Sequence, residues 1–300
     1  MASFTDWSYL CPALTAIGFP LVLEHITHTV IAMIMVAVLT ASCHTDDDDD
    51  NSGESSGSGV AVGWIPGLWH SGADFQMPYQ LFIPADSSKK APLVIHLHGA
   101  GENGTDNIKQ LYQGSNIGPD YFASDPIQKI NAAFVLAPQS PIGMRWASNT
   151  VAEYDLASTP PTQSMTALRT LIEHIVAQYP MIDTHRIYLA GLSQGGQGVW
   201  DASMRTPHYF AAVAPMSGAG SPADANLLTH LPIWAFHNYI DPVTSVTASQ
   251  HMVDAIIKAG GTSALVRYTE LQEIGHGSWT YAYKGDGLWQ WMLTHKLSDE

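Results

Sequence analysis

Basic residues are scarce in this sequence and unevenly placed. Only twelve Lys and Arg occur in 300 residues, and none precedes Lys89. Eight of the 27 Asp and Glu fall before residue 60, so the rest of the chain is moderately acidic and has no basic tract. That excludes nucleic acid as an expected partner, because such binding rests on clustered cations that neutralise phosphates. Cysteine is nearly missing as well: Cys11 and Cys43 are the only two. From about residue 60 onward there is no thiol, which rules out a disulfide or a thiolate metal site there and leaves export open. Long apolar runs are also lacking. The most apolar stretch, Ile26–Leu39 ("ITHTVIAMIMVAVL"), has fourteen residues interrupted by His28 and two Thr, short of the ~20 that span a bilayer.

That length suits the apolar core of a signal peptide. The run leads into "LTASC", with small residues before Cys43, which resembles a bacterial lipoprotein signal in which Cys43 becomes the lipidated first residue. Thr40 stands where a larger aliphatic residue is usual, and no cation precedes the apolar run. A plain signal peptide or a single anchor helix therefore remain alternatives. His44–Gly59 ("HTDDDDDNSGESSGSG") has no large apolar side chain to bury and five adjacent like charges, so it is expected to be a disordered, extended tether. Weak calcium binding by Asp46–Asp50 is the lesser reading. The division expected is a leader over 1–43, a linker over 44–59 and one folded domain over 60–300. The location expected is the periplasm, the outer-membrane surface or the medium, with Cys43 as the membrane attachment if lipidated.

Beyond residue 60, short apolar runs alternate with helical patterns. Strands are expected at Tyr79–Pro84, Pro92–His98, Ala132–Ala137, His185–Ala190, Ala211–Pro215, Ile233–His237 and Ala264–Thr269. Helices are expected at Gln163–Tyr179, Gln194–Arg205, Ser245–Ala259 and Leu288–Leu297, the first from apolar residues at three- and four-residue steps. Continuous apolar strands separated by helices imply a mostly parallel sheet covered on both faces, an α/β fold in a single domain.

Within "YLAGLSQGGQGVW", Gly191–Gly195 reads G-x-S-x-G. Composition alone produces that pattern about once in ten chains of this length. Its setting is more specific: Ser193 follows an expected strand and opens an expected helix, as a nucleophile elbow requires. A serine needs a base, and the base an orienting acid. In this architecture the chain order is Ser, then Asp or Glu, then His. His276 lies in the Gly-flanked loop "EIGHGSW", and Asp241 follows the strand Ile233–His237 in "WAFHNYIDPVTS". Glu270 and Glu273 compete with Asp241 for the acid. Charge developing on a carbonyl oxygen needs fixed N–H donors. One is expected from Gln194, the other from the loop "HLHGAGENGTDN", at Ala100 or alternatively Gly101. His96 and His98 read as zinc ligands only if a third ligand joins them, and none stands nearby in sequence. No metal or cofactor is expected.

Together "HLHGAGENGTDN", "GLSQGG", "DPV" and "GHGSW" resemble the α/β-hydrolases of the esterase, dienelactone-hydrolase-like and peptidase-like group, whose plan feruloyl esterases, acetyl-xylan esterases and polyhydroxybutyrate depolymerases share. The resemblance spans about Tyr79–Leu297. It implies Ser193 as nucleophile, Asp241 as acid, His276 as base, Ala100 with Gln194 as oxyanion hole, and a small-molecule or polymer-linked ester as substrate. One departure is Asn238 after His237, where the group usually has Gly. Met144 and Trp146, on the loop "QSPIGMRW", and Trp279 are candidate pocket residues. Glu102 is a candidate partner of Arg145. Peptide hydrolysis is the alternative activity, and a binding module on an inactive hydrolase scaffold the alternative class.

Overall fold

The computed structural model describes residues 63–298, apart from 87, 112–117, 148–151 and 286. The leader, the acidic linker, Cys11 and Cys43 lie outside the described residues. Eight strands form one sheet in the order β1-β2-β4-β3-β5-β6-β7-β8. They are β1 (Gly63–Ser71), β2 (Phe75–Ile83), β3 (Ala91–Leu97), β4 (Phe134–Pro138), β5 (Ile182–Leu192), β6 (Ala212–Met216), β7 (Ile233–Ile240) and β8 (Val266–Ile274). The β1–β2 and β2–β4 pairs are antiparallel. From β4 through β8 every pair is parallel.

Parallel strands need crossover connections, and the crossover helices cover both faces. One face packs Leu93, Ile95, Leu97, Leu189 and Trp200 beneath α3 (Gln163–Gln178), α4 (Gln194–Arg205) and α5 (Val246–Lys258). The other packs Val94, Val135, Tyr188, Phe236 and Trp289 beneath α1 (Pro119–Ala123), α2 (Asp125–Ile130), α6 (Ser278–Lys284) and α7 (Leu288–Leu293). Odd and even residues of β3 thus feed different cores, and all seven of its residues are buried. Helix α3 starts where the Thr162 side chain accepts from the Met165 amide, and it buries Met165, Leu168, Leu171, Ile172 and Ile175.

The sheet is an α/β-hydrolase fold, and its parallel core is as expected. Strand β1 and helices α1, α2 and α6 were not anticipated. Strands β7 and β8 run further than their apolar residues suggest, and α7 ends at Leu293 rather than Leu297. Between the pairs Asn238↔Leu271 and Ile240↔Ile274, β8 carries one more residue than β7. That bulge lies at the sheet edge where the loops following β7 and β8 begin.

Candidate active site

Parallel strands send the loops after β3, β4, β5, β7 and β8 to one edge of the sheet, where open α/β sheets place their sites. The connection from β5 into α4 contains no loop at all. Ser193 alone makes the turn, with φ +54° and ψ −118°, a conformation costly for a residue with a Cβ. Its amide donates to the Met216 carbonyl (2.8 Å) and its carbonyl accepts from Gln197 (3.0 Å), so the surrounding backbone holds the strain. The crossing is very close. A Cβ on Gly195 would overlap the Leu97 carbonyl, and one on Gly191 would lie 2.6 Å from the Gly195 oxygen.

The turn lifts Ser193 Oγ to 2.7 Å from His276 Nε2, and His276 Nδ1 lies 2.7 Å from Asp241 Oδ2. A carboxylate accepts, so Nδ1 carries the proton and Nε2 presents its lone pair to the serine. The Asp241 side chain has no exposed surface and that of His276 very little. Burial pushes the Asp241 carboxyl up. Hydrogen bonds from His237, His276 and the Thr244 and Val243 amides outweigh that and hold it well below the usual carboxylate range. Asp241 Oδ1 accepts from those amides at 3.0 and 2.8 Å. Glu270 is engaged elsewhere, accepting from Gln250 (2.7 Å) and Tyr268 (3.1 Å).

Several supporting side chains were not singled out by sequence reasoning for what they do. His237, wholly buried, reaches the Thr244 carbonyl with Nε2 (3.0 Å) and Ser249 Oγ with Nδ1 (2.7 Å). The carbonyl can only accept, so Nε2 bears hydrogen. The same N–H faces Asp241 Oδ2 at 3.4 Å. Asn238 Nδ2 donates to the carbonyl of Gly275 (2.9 Å), the residue before His276. His98 accepts from the Ser140 amide at Nε2 (2.9 Å), which leaves Nδ1–H to donate to the Gly99 carbonyl (2.6 Å). That carbonyl shares its trans peptide unit with the Ala100 N–H, so fixing one aims the other. Both His98 nitrogens are thereby engaged, and its bond to Gly99 turns it away from metal ligation. Among the described residues no group of three or more His, Cys, Asp or Glu could hold a metal ion.

Gly99 lies against the serine, a Cβ there falling 3.6 Å from that of Ser193, and Ala100–Glu102 form a single turn beyond it. Gln194 opens α4, where the first amides have no helical acceptor. Of the candidate pocket residues, Trp279 packs edge-on against the His276 ring at 5.1 Å. Met144 is partly buried, and its carbonyl accepts from Asn103 (2.6 Å) and Gln194 (3.3 Å). Trp146 is wholly buried, its indole N–H donating to the His98 carbonyl (3.1 Å). It braces the loop after β3 from within the core, and it is not among the residues lining the recess at the serine. That recess is bounded by Arg145, Ser193, Gln194, Gln197, Gly218, Ala219 and Thr244.

A strand-to-helix serine in hydrogen-bond contact with a histidine, itself bonded to a buried aspartate, sits on the fold of a hydrolase. The chain belongs to the phospholipase/carboxylesterase family, whose pattern it matches over residues 79–282. A bifunctional acetylxylan esterase/xylanase of Neocallimastix patriciarum is 26% identical over 163 residues, 54% of this chain and 21% of that one. The crystal structure of a thermostable esterase superimposes with a TM-score of 0.71 at 33% identity, covering 78% of this chain and 63% of the other. An acylaminoacyl peptidase of Pyrococcus horikoshii shares the fold with a TM-score of 0.56 at 14% identity, over 79% of this chain and 43% of that one. The chain thus spans about a fifth of the first relative's length and under two thirds of the thermostable esterase's.

Proposed function

We propose that this hydrolase is a serine carboxylesterase working through Ser193, His276 and Asp241. The observation that carries the reading is the unbroken hydrogen-bond chain from Ser193 Oγ through both His276 nitrogens to Asp241. His276 Nε2 takes the hydroxyl proton as Oγ adds to the ester carbonyl carbon. The C=O π pair moves onto oxygen, where the Gln194 and Ala100 N–H groups meet the new charge. Each such donor contributes about a hundredfold or more to the rate. Collapse re-forms C=O and breaks the bond to the alcohol oxygen, which takes the proton from His276. Water, deprotonated by the same nitrogen, then releases the acid and restores Ser193. None of these steps calls for a metal or cofactor.

The substrate proposed is a small-molecule or polymer-linked carboxylic ester, carbohydrate-linked esters included, in keeping with the relative described as an acetylxylan esterase. The domain proposed is 60–300. Export to the periplasm, the outer-membrane surface or the medium is proposed from residues 1–43, with Cys43 as the lipid anchor. Mass spectrometry of the mature N-terminus tests this, since a chain that still starts at Met1 overturns processing.

Labelling by a fluorophosphonate tests the chemistry. Wild type should label and Ser193→Ala should not; equal labelling sinks the assignment. Hydrolysis of p-nitrophenyl acetate without cleavage of peptide anilides separates the esterase from a peptidase. Ligand binding without turnover on any ester would make the chain a binding module.

A further inference from the structure

Ser193 follows the end of β5, and a second pocket lies at the opposite edge of the sheet, where the parallel strands begin. It is lined by the turns that precede β6, β7 and β8 and by the segment after α7, and has a volume of about 370 Å³. That is within the size range of small-molecule sites. The sheet itself fixes the walls. The Ala211 amide donates to the Ile187 carbonyl (2.8 Å), and the Ile233 amide to the Leu265 carbonyl (2.9 Å). After α7, the Tyr188 hydroxyl donates to the His295 carbonyl (2.9 Å), and the Leu297 amide to the His185 carbonyl (2.9 Å).

The lining is set apart by its ionisable groups. They are His208, His230, His295 and Lys296, and no Asp or Glu of the described residues joins them. In a chain with 27 Asp and Glu against twelve Lys and Arg, that reverses the general balance. Burial, with Arg267 next, lowers the His295 pKa, so a further cation stands within electrostatic reach. The His208 and His230 rings are stacked, with centroids 6.5 Å apart and planes 25° from parallel. His208 holds its place from φ +69°, a left-handed conformation uncommon for a residue with a Cβ. Strain of that kind persists only where the surroundings hold it, and it gathers at ligand-binding positions. An imidazole keeps at least one N–H in either protonation state, and Lys offers three. Three histidines also invite a metal, but among the described residues no three His, Cys, Asp or Glu are grouped to hold one. The rest of the lining includes Leu227, Leu231 and Leu265, which an inorganic anion would leave unused.

We propose that this pocket binds a small organic carboxylate with an apolar body, its head among His208, His230 and Lys296 and its body against Leu227, Leu231 and Leu265. Donors without a competing carboxylate suit an anion, and the leucines suit the hydrocarbon attached to it. The site is separate from Ser193 and does not depend on the esterase reading.

Titration of the full chain with benzoate at neutral pH, followed through the imidazole C–H resonances, tests this. The signals of His208 and His230, identified by their loss in His208→Asn and His230→Gln, should shift and saturate while that of His276 stays in place. Benzamide, which lacks the charge, and acetate, which lacks the body, should each bind about tenfold more weakly or worse. His230 and Lys296 are exposed, so His230→Gln and Lys296→Gln leave folding intact, and each should weaken benzoate about tenfold. Asn tolerates the left-handed backbone, so His208→Asn should weaken benzoate with an unchanged urea midpoint. A shift confined to His276 places the carboxylate at the catalytic serine and overturns the proposal. Benzamide binding as tightly as benzoate overturns it as well, and so does phosphate binding as tightly. Undiminished affinity in both His230→Gln and Lys296→Gln overturns it, as does a lack of saturation at about 10 mM, tenfold above a millimolar constant.

Discussion

Ser193 holds a backbone conformation worth roughly 1–3 kcal/mol of strain, and His276 and Asp241 meet it only because their loops are held equally firmly. Asn238 shows how. Its buried side chain donates to the Gly275 carbonyl, while the Gly275 amide donates to Ile240. Both sides of the residue preceding His276 are therefore tied to the end of β7, and Gly275 itself, at φ +126°, is a natural place for the loop to move. Asn238→Gly removes one tie and touches nothing in the recess. A lost hydrogen bond of about 1–1.5 kcal/mol should lower kcat on p-nitrophenyl acetate about tenfold with KM nearly unchanged. A rise in KM at constant kcat would show that Asn238 acts on substrate instead. That Ser193, Asp241 and His276 come together was legible in the sequence, because strand ends and chain order narrow the choice to a few residues. Asn238, His237 and His98 were not legible in these roles. Each acts on a particular carbonyl, and which carbonyl faces which side chain is decided by register and by the bulge in β8.

The strand β5, Ser193 and helix α4 form the element on which the site depends, and the helix starts and ends where its sequence places it, at Gln194 and Arg205. Its glycines are read correctly only through packing. Replacing Gly by Ala inside a helix ordinarily stabilises it by about 0.5–1 kcal/mol. At Gly195 the new Cβ would meet the Leu97 carbonyl, part of the central strand β3, which has little room to yield. Gly195→Ala should therefore lower the urea midpoint and abolish fluorophosphonate labelling together. A stabilised, fully labelled variant would mean that α4 can move away from β3 without cost. The same distinction between propensity and packing explains which elements could be read in advance. Strands β3, β4 and β6, and β5 from Ile187 onward, are buried on both faces and read as apolar runs. Strand β1 lies at the sheet edge, only partly buried, with Pro66 and Gly67 at its centre, so neither composition nor alternation marks it. Strand β8 continues through polar "TELQEI" because β7 supplies hydrogen bonds, whatever the side chains. Helix α6 begins two residues after His276, and Gly275 and Gly277 conceal it.

At the scale of the whole molecule, the two cores on either side of the sheet each enclose a histidine that must remain uncharged. His96, from β3, is wholly buried against Tyr283, and neither of its ring nitrogens has a hydrogen-bond partner among the described residues. Burial, reinforced by the neighbouring His98, lowers its pKa to about 3. Burial lowers that of His98 to about 4, against a smaller upward effect of its bond to Gly99. Both values are below the ~6.5 of an unfolded chain. Between pH 6.5 and 4 the unfolded state therefore binds protons that the folded state refuses, and stability falls as pH falls. At pH 5 the loss is roughly 2 kcal/mol for each histidine relative to neutral pH, with stability fully present above pH 6.5. His98 supports the loop after β3 and is a poor site for substitution, but among the described residues His96 makes no hydrogen bond that would be lost. His96→Leu should unfold in urea at a similar or higher midpoint at pH 7.5 and should lose about half as much stability as wild type on going to pH 5. Parallel losses in the two proteins would place the acid sensitivity elsewhere. A smaller loss in His96→Leu would make the buried imidazole a cost the fold carries in acid.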